Sequence, residues 1–152
     1  MSKKTKLSFV VGSTLLISIV MLYAFRMEIG SRLLARGFQV SPEDNFNYEF
    51  STPIEQIEGL RGGGSTWMDH HDTYIRFRCE RVVELKGIES YRKAGVEAAP
   101  MAFFKEKFPR DSDSLEDPEN IVVYSKTISP GKMKKCLVHN TRTQTYFFRV
   151  WN

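Results

Sequence analysis

The sequence has 152 residues, of which 41% are hydrophobic and 26% are charged, and these proportions exclude an intrinsically disordered chain. Most of the net charge of +4 comes from Lys3, Lys4 and Lys6, since 19 basic and 18 acidic residues remain without them. A nearly neutral remainder excludes a protein that binds nucleic acid through its overall charge.

An uncharged stretch of 19 residues begins at Leu7 and ends at Phe25. As a helix it would be about 28 Å long, close to the ~30 Å hydrocarbon thickness of a bilayer. We therefore predict a basic tail over residues 1–6 and a transmembrane anchor over residues 7–25. The stretch is too long for a signal peptide and lacks a small-x-small cleavage site, which favours an uncleaved anchor. The preceding lysines predict a cytoplasmic N-terminus and an extracytoplasmic C-terminal domain.

After the anchor, residues 26–37 are predicted to form a juxtamembrane helix or linker, and residues 38–152 one soluble domain. Residues 41–50 are expected to be irregular or briefly extended. Thr52 as a cap, followed by a proline and then by Glu55, predicts a helix start, and the three glycines that begin at Gly62 predict the end of this helix. A second short helix is expected over residues 101–108.

Alternating apolar and polar residues over 72–80 predict a strand with Ile75, Phe77 and Cys79 on one face. Three further strands are expected over residues 121–126, 134–139 and 145–151, the last two joined by a hairpin turn. We predict an α+β domain with an antiparallel sheet of about four strands and short helices on one face.

Charge is segregated along the chain. Residues 41–60 and 111–119 each carry five acids and no base, and no acid follows Glu119. We expect the acidic segments to pack beside the basic C-terminal strands and neutralise them. The alternative is a basic face for an acidic partner or for anionic lipid.

The two cysteines, Cys79 and Cys136, both fall in predicted strands. An extracytoplasmic domain permits a disulfide between them. Two buried free thiols are equally favoured, because the sequence does not show whether the two residues lie within reach of each other.

Asp69, His70, His71 and Asp72 form a run of metal-ligating residue types. The first three are similar to the Asp-His-His element of the DHH phosphoesterases, which implies manganese binding, but the further motifs of that family do not follow. Since alternate strand residues share a face, a metal site would use Asp69 and His71 together with His139. This set supports an alternative function, a small metal-dependent hydrolase.

Aromatic and arginine side chains on the predicted strands indicate a protein-binding surface, because Tyr, Trp and Arg are enriched in interface hot spots. Its candidate residues are Tyr74, Arg76, Arg78, Tyr146 and Arg149 on the strands, together with Trp67 beside the predicted glycine-rich loop.

The sequence favours a single-pass membrane protein held in the membrane by residues 7–25, whose domain binds another protein and catalyses no reaction. An accessory or envelope-associated module fits this description. We predict no cofactor and no nucleic-acid partner. The two alternatives are the metal-dependent hydrolase and a sensor whose basic C-terminal face docks on anionic lipid.

Overall fold

The computed structural model of the protein describes residues 38–67, 70–128 and 133–152. The predicted tail, anchor and linker, residues 1–37, lie outside these ranges. Across the described ranges, no helix has both the length and the apolar character needed to cross a membrane. The described chain is an α+β domain built on one antiparallel sheet.

The sheet has seven strands, and every neighbouring pair is antiparallel. The strands are β1 (Phe38–Gln39), β2 (Glu58–Trp67), β3 (His70–Arg78), β4 (Arg92–Ala94), β5 (Ile121–Ile128), β6 (Met133–Asn140) and β7 (Thr145–Trp151). Their order across the sheet is β1-β2-β3-β7-β6-β5-β4. The expectation of about four strands was wrong, because it covered β3, β5, β6 and β7 and missed the three nearer the edges.

The strand β2 contains the three glycines that the sequence analysis read as the end of a helix. Residues Ile54–Gln56 form only one short 3₁₀ helix, and the chain then enters β2. Gly62, Gly63 and Gly64 pair with Ile75, Tyr74 and Thr73 of β3. A strand interior without side chains has no alternation of apolar and polar residues, so the period-2 signal was absent.

The first helix, α1 (Pro42–Glu49), forms where the sequence analysis expected irregular chain. Ser41 caps it, since the hydroxyl accepts a hydrogen bond of 3.0 Å from the backbone N–H of Asp44. Pro42 occupies the first turn. Phe46 and Phe50, four residues apart, stack with ring centroids 4.9 Å apart and are buried on the sheet.

The second helix, α2 (Met101–Lys107), lies close to its predicted position, and a 3₁₀ segment, Pro109–Leu115, follows it. Phe104 belongs to a hydrophobic cluster with Val138 and Phe147, whereas Phe46 of α1 belongs to a separate cluster with Ile75 and Phe148. Phe147 and Phe148 are adjacent on β7 and point to opposite faces. The helices therefore cover both faces of the sheet, and the expectation of helices on one face was wrong.

The approach of β2 to β3 leaves no room for a side chain at Gly62, where an added Cβ would lie 2.8 Å from Ile75 Cα. At Gly63, an added Cβ would make an ordinary contact of 3.7 Å with the hydroxyl of Tyr74. We expect Gly62→Ala to lower the free energy of unfolding by about 1–3 kcal/mol through overpacking. The matched Gly63→Ala variant should change it by less than about 0.5 kcal/mol. Urea unfolding of both variants tests this, and equal effects would contradict the close approach.

Candidate functional site

Tyr74 and Arg149 are the two predicted surface residues that the fold brings together. They are cross-strand partners on β3 and β7, and Phe103 of α2 contacts both side chains. The guanidinium of Arg149 lies 3.5 Å from the centroid of the Phe103 ring and donates hydrogen bonds of 2.9 and 3.0 Å to Asp72. This arrangement fixes Arg149 against its own domain.

Arg76 was expected on the solvent face, but it is only 4% exposed. It forms an ion pair with Asp111 of the 3₁₀ segment, and the same carboxylate also accepts a hydrogen bond from Arg61. Burial lowers the pKa of Arg76, and Asp111 opposes that shift. The side chain therefore anchors the 3₁₀ segment to the sheet and does not contribute to an exposed surface.

Tyr146 lies on the opposite face of the sheet from Tyr74. Its ring stacks on Phe77 at 5.1 Å and on His139 at 4.0 Å, and its hydroxyl donates a hydrogen bond to the carbonyl of Arg81. Because β7 alternates its faces, Tyr146 and Arg149 point in opposite directions. The six predicted residues do not form one surface.

The other two predicted surface residues lie at opposite ends of the sheet. Trp67 ends β2 and pairs with His70, whereas Arg78 ends β3 and is exposed. Arg78 also lines an open groove at its end of the sheet.

The structure does not bring His71 and His139 together. His71 is hydrogen-bonded to Asn152, which directly follows β7, whereas His139 is paired with Tyr146 near the start of β7. These two positions are six residues apart, a distance of about 20 Å in an extended chain. Asp69 lies outside the described residues. Within the described ranges, no three or more His, Cys, Asp or Glu side chains are placed to hold a metal ion.

The ring nitrogens of His71 both lie within hydrogen-bond distance of threonine hydroxyls. Nδ1 is 3.0 Å from Thr66 Oγ1, and Nε2 is 3.3 Å from Thr73 Oγ1. His71 also lines a small cavity of about 230 Å³ beside Asn45 and Glu49. Through these contacts with Thr66, Thr73 and α1, the imidazole of His71 is part of the packing of β3 against β2 and α1.

Cys79 and Cys136 are free and buried. Cys79 belongs to the cluster under α1 and Cys136 to the cluster under α2, so the thiols lie on opposite faces of the sheet. The structure does not bring the two cysteines together, which favours the alternative of two buried thiols over the disulfide. Burial raises the pKa of Cys136 to about 12, which suppresses the reactive thiolate.

The acidic segments neutralise the basic C-terminal residues only in part. Glu49 of α1 accepts hydrogen bonds of 2.6 and 2.7 Å from Lys135, and Asp117 lies 3.1 Å from Arg142. With Asp72 on Arg149, these pairs engage three of the six basic residues that follow Glu119. The C-terminal strands therefore offer less basic surface to anionic lipid than their sequence indicates.

A groove of about 680 Å³ opens at the end of the sheet where β3 ends and the hairpin between β6 and β7 turns. It is mostly polar, and the buried side chain of Cys79 lies at its wall. Its charged lining residues are Glu58, Arg78, Glu80, Arg81 and Arg142. Of these, only Arg78 was among the predicted surface residues, because three separate segments of the chain meet here.

The outer edge of β2 adjoins this groove, since Glu58 begins the strand and also lines the groove. β1 pairs with β2 only at Ser65 and Thr66, and the N–H of Val40 donates to the carbonyl of Gly64. Within the described ranges, no strand pairs with the outer edge of residues 58–63. These six residues make an edge about 20 Å long.

No protein-family model, curated protein or solved structure matches the chain.

The ion pair between Arg76 and Asp111 predicts a large stability loss when only one partner is removed. Asp111→Ala should lower the free energy of unfolding by about 3–5 kcal/mol, because it leaves a buried guanidinium without its counter-charge. The control, Asp113→Ala, removes an exposed carboxylate of the same 3₁₀ segment and should cost less than about 0.5 kcal/mol. Chemical denaturation measures both, and a small effect at Asp111 would refute its anchoring role.

Burial lowers the pKa of His71 below its ordinary value of 6.5, an effect to which Lys135 adds and which Glu49 opposes. The unfolded chain then binds this proton at higher pH than the folded chain, so the free energy of unfolding falls as the pH drops below about 6.5. His71→Gln should weaken this dependence between about pH 7.5 and pH 5.5, whereas His70→Gln, at the exposed neighbour, should not. Identical pH profiles for all three proteins would contradict the assignment.

Both thiols should resist a thiol reagent such as dithionitrobenzoate in the folded protein and react once the chain is unfolded. Without any reductant, the denatured chain should release two equivalents, one for each cysteine of the sequence. Release of none would mean that the cysteines are bonded.

Proposed function

We propose that the protein is a single-pass, membrane-anchored module whose domain, residues 38–152, binds another protein and catalyses no reaction. Residues 7–25 are its anchor, the N-terminus is cytoplasmic, and the domain lies outside the cytoplasm. The protein acts as an accessory or envelope-associated subunit.

The observation that supports this proposal is the outer edge of β2, residues 58–63, with which no strand of the described ranges pairs. A strand edge presents alternating backbone donors and acceptors, and an extended polypeptide is the partner that satisfies such a row. Gly64 directs its carbonyl outward to Val40, and by alternation the backbone groups of Gly62 point to the same side. A partner strand would pair there.

Features that usually protect an edge are only partly present on this stretch. Gly59, Gly62 and Gly63 carry no side chain, and Arg61 is held by Asp111. A register shift between Glu58 and Arg61 distorts the start of the strand. The regular part, from Arg61 to Gly63, continues directly into the residues that already pair with β1.

Site-specific photocrosslinking of the full-length protein in intact cells tests the proposal. A benzophenone amino acid replaces Glu58 on the open edge in one variant and Lys93 of β4, at the other edge of the sheet, in the control. Both are exposed charged residues of edge strands. We expect a discrete protein adduct from position 58 and none from position 93.

A partner identified in this way is then purified and added to the full chain, and the amide of Gly62 should become protected against hydrogen exchange. The absence of an adduct at position 58, or equal adducts at both positions, would reject the edge as the binding site. An adduct with a second copy of this chain would mean that the edge mediates self-association and does not bind a different protein.

A further inference from the structure

We infer that the groove at the ends of β2 and β3 receives acidic side chains of the partner's extended segment. This inference rests on the proposed function, because it names the chemistry of the segment that pairs with β2. The two features are continuous, since Glu58 is both the first residue of β2 and part of the groove. A strand lying along residues 58–63 enters the groove at that end.

The groove carries two arginines for which the described residues provide no carboxylate partner. Within the described part of the chain, neither Arg78 nor Arg81 forms an ion pair, although Glu58 is the cross-strand neighbour of Arg78. Arg142, in contrast, is held by Asp117 at 3.1 Å. A guanidinium presents a planar fork of donors that fits a carboxylate with two parallel hydrogen bonds and is weakly hydrated. The free arginines are therefore suited to an incoming Asp or Glu side chain.

The charges that line the groove are nearly balanced. Three arginines and two carboxylates line it, which is a net charge of +1. The arginines are Arg78, Arg81 and Arg142, and the carboxylates are Glu58 and Glu80. Asp117 neutralises Arg142, so Arg78 and Arg81 are the charges that attract an acidic ligand, and Glu58 and Glu80 are the charges that oppose it.

Because the groove holds charges of both signs, peptides of opposite charge test the inference. The probe is a fluorescein-labelled peptide of alternating glutamate and valine, which favours an extended strand and carries its acids on one face. Alternating glutamine–valine and lysine–valine peptides are the controls. Fluorescence anisotropy measures binding of each peptide to the full chain in detergent micelles.

We expect the glutamate peptide to bind more tightly than either control and to weaken as salt is added. Arg78→Gln and Arg81→Gln should each weaken its binding by about fivefold. Arg92→Gln, an exposed arginine of β4, should leave the binding unchanged. Glu58→Gln combined with Glu80→Gln should strengthen binding, because these changes remove the opposing charges.

Several results would overturn the inference. Equal binding of the glutamate and glutamine peptides, tighter binding of the lysine peptide, or no effect of the arginine variants would each do so. Effective competition by a single-stranded RNA of matched charge would also do so, since it would mean that the groove accepts anions in general. None of these results changes the crosslink at position 58, so the inference can fail while the proposed function stands. Loss of that crosslink would refute both the inference and the proposed function.

Discussion

Burial of both faces of the central strand pair, β3 and β7, is the constraint on which the rest of the structure depends. Phe147 and Phe148 are neighbours on β7, and each is completely buried. Since adjacent strand residues point to opposite faces, one covering layer could not bury both. The domain therefore needs α1 against one face and α2, with its 3₁₀ segment, against the other.

The same layering decides where the charged groups lie. Covering both faces takes Arg76 and Lys135 out of water, and such groups are tolerated only when they are paired. Asp111 and Glu49 supply the counter-charges from the covering segments. Asp111 and Glu49 each belong to an acidic segment of the sequence, and in the fold each contacts a basic residue of the sheet.

Covered faces also restrict how the domain can meet a partner. The faces of β3 and β7 are occupied by helices, so recognition falls to the edges and ends of the sheet. The β2 edge and the groove beside it provide backbone pairing and free guanidinium groups at one place. In such an arrangement the backbone supplies the affinity common to any extended segment, and the side chains in the groove distinguish one segment from another.

Local patterns in the sequence predicted the strands with clear alternation, β3, β5, β6 and β7, and the helix α2, because the period of apolar residues is a property of the segment itself. They missed β2, since three glycines give no period. Ser41 and Pro42 did carry the signals of a helix start, and these were overlooked. Only the tertiary structure placed Tyr146 and Arg149 on opposite faces, separated the two cysteines and joined three segments into the groove. Register and layering arise from contacts between residues distant in sequence, and no single segment contains them.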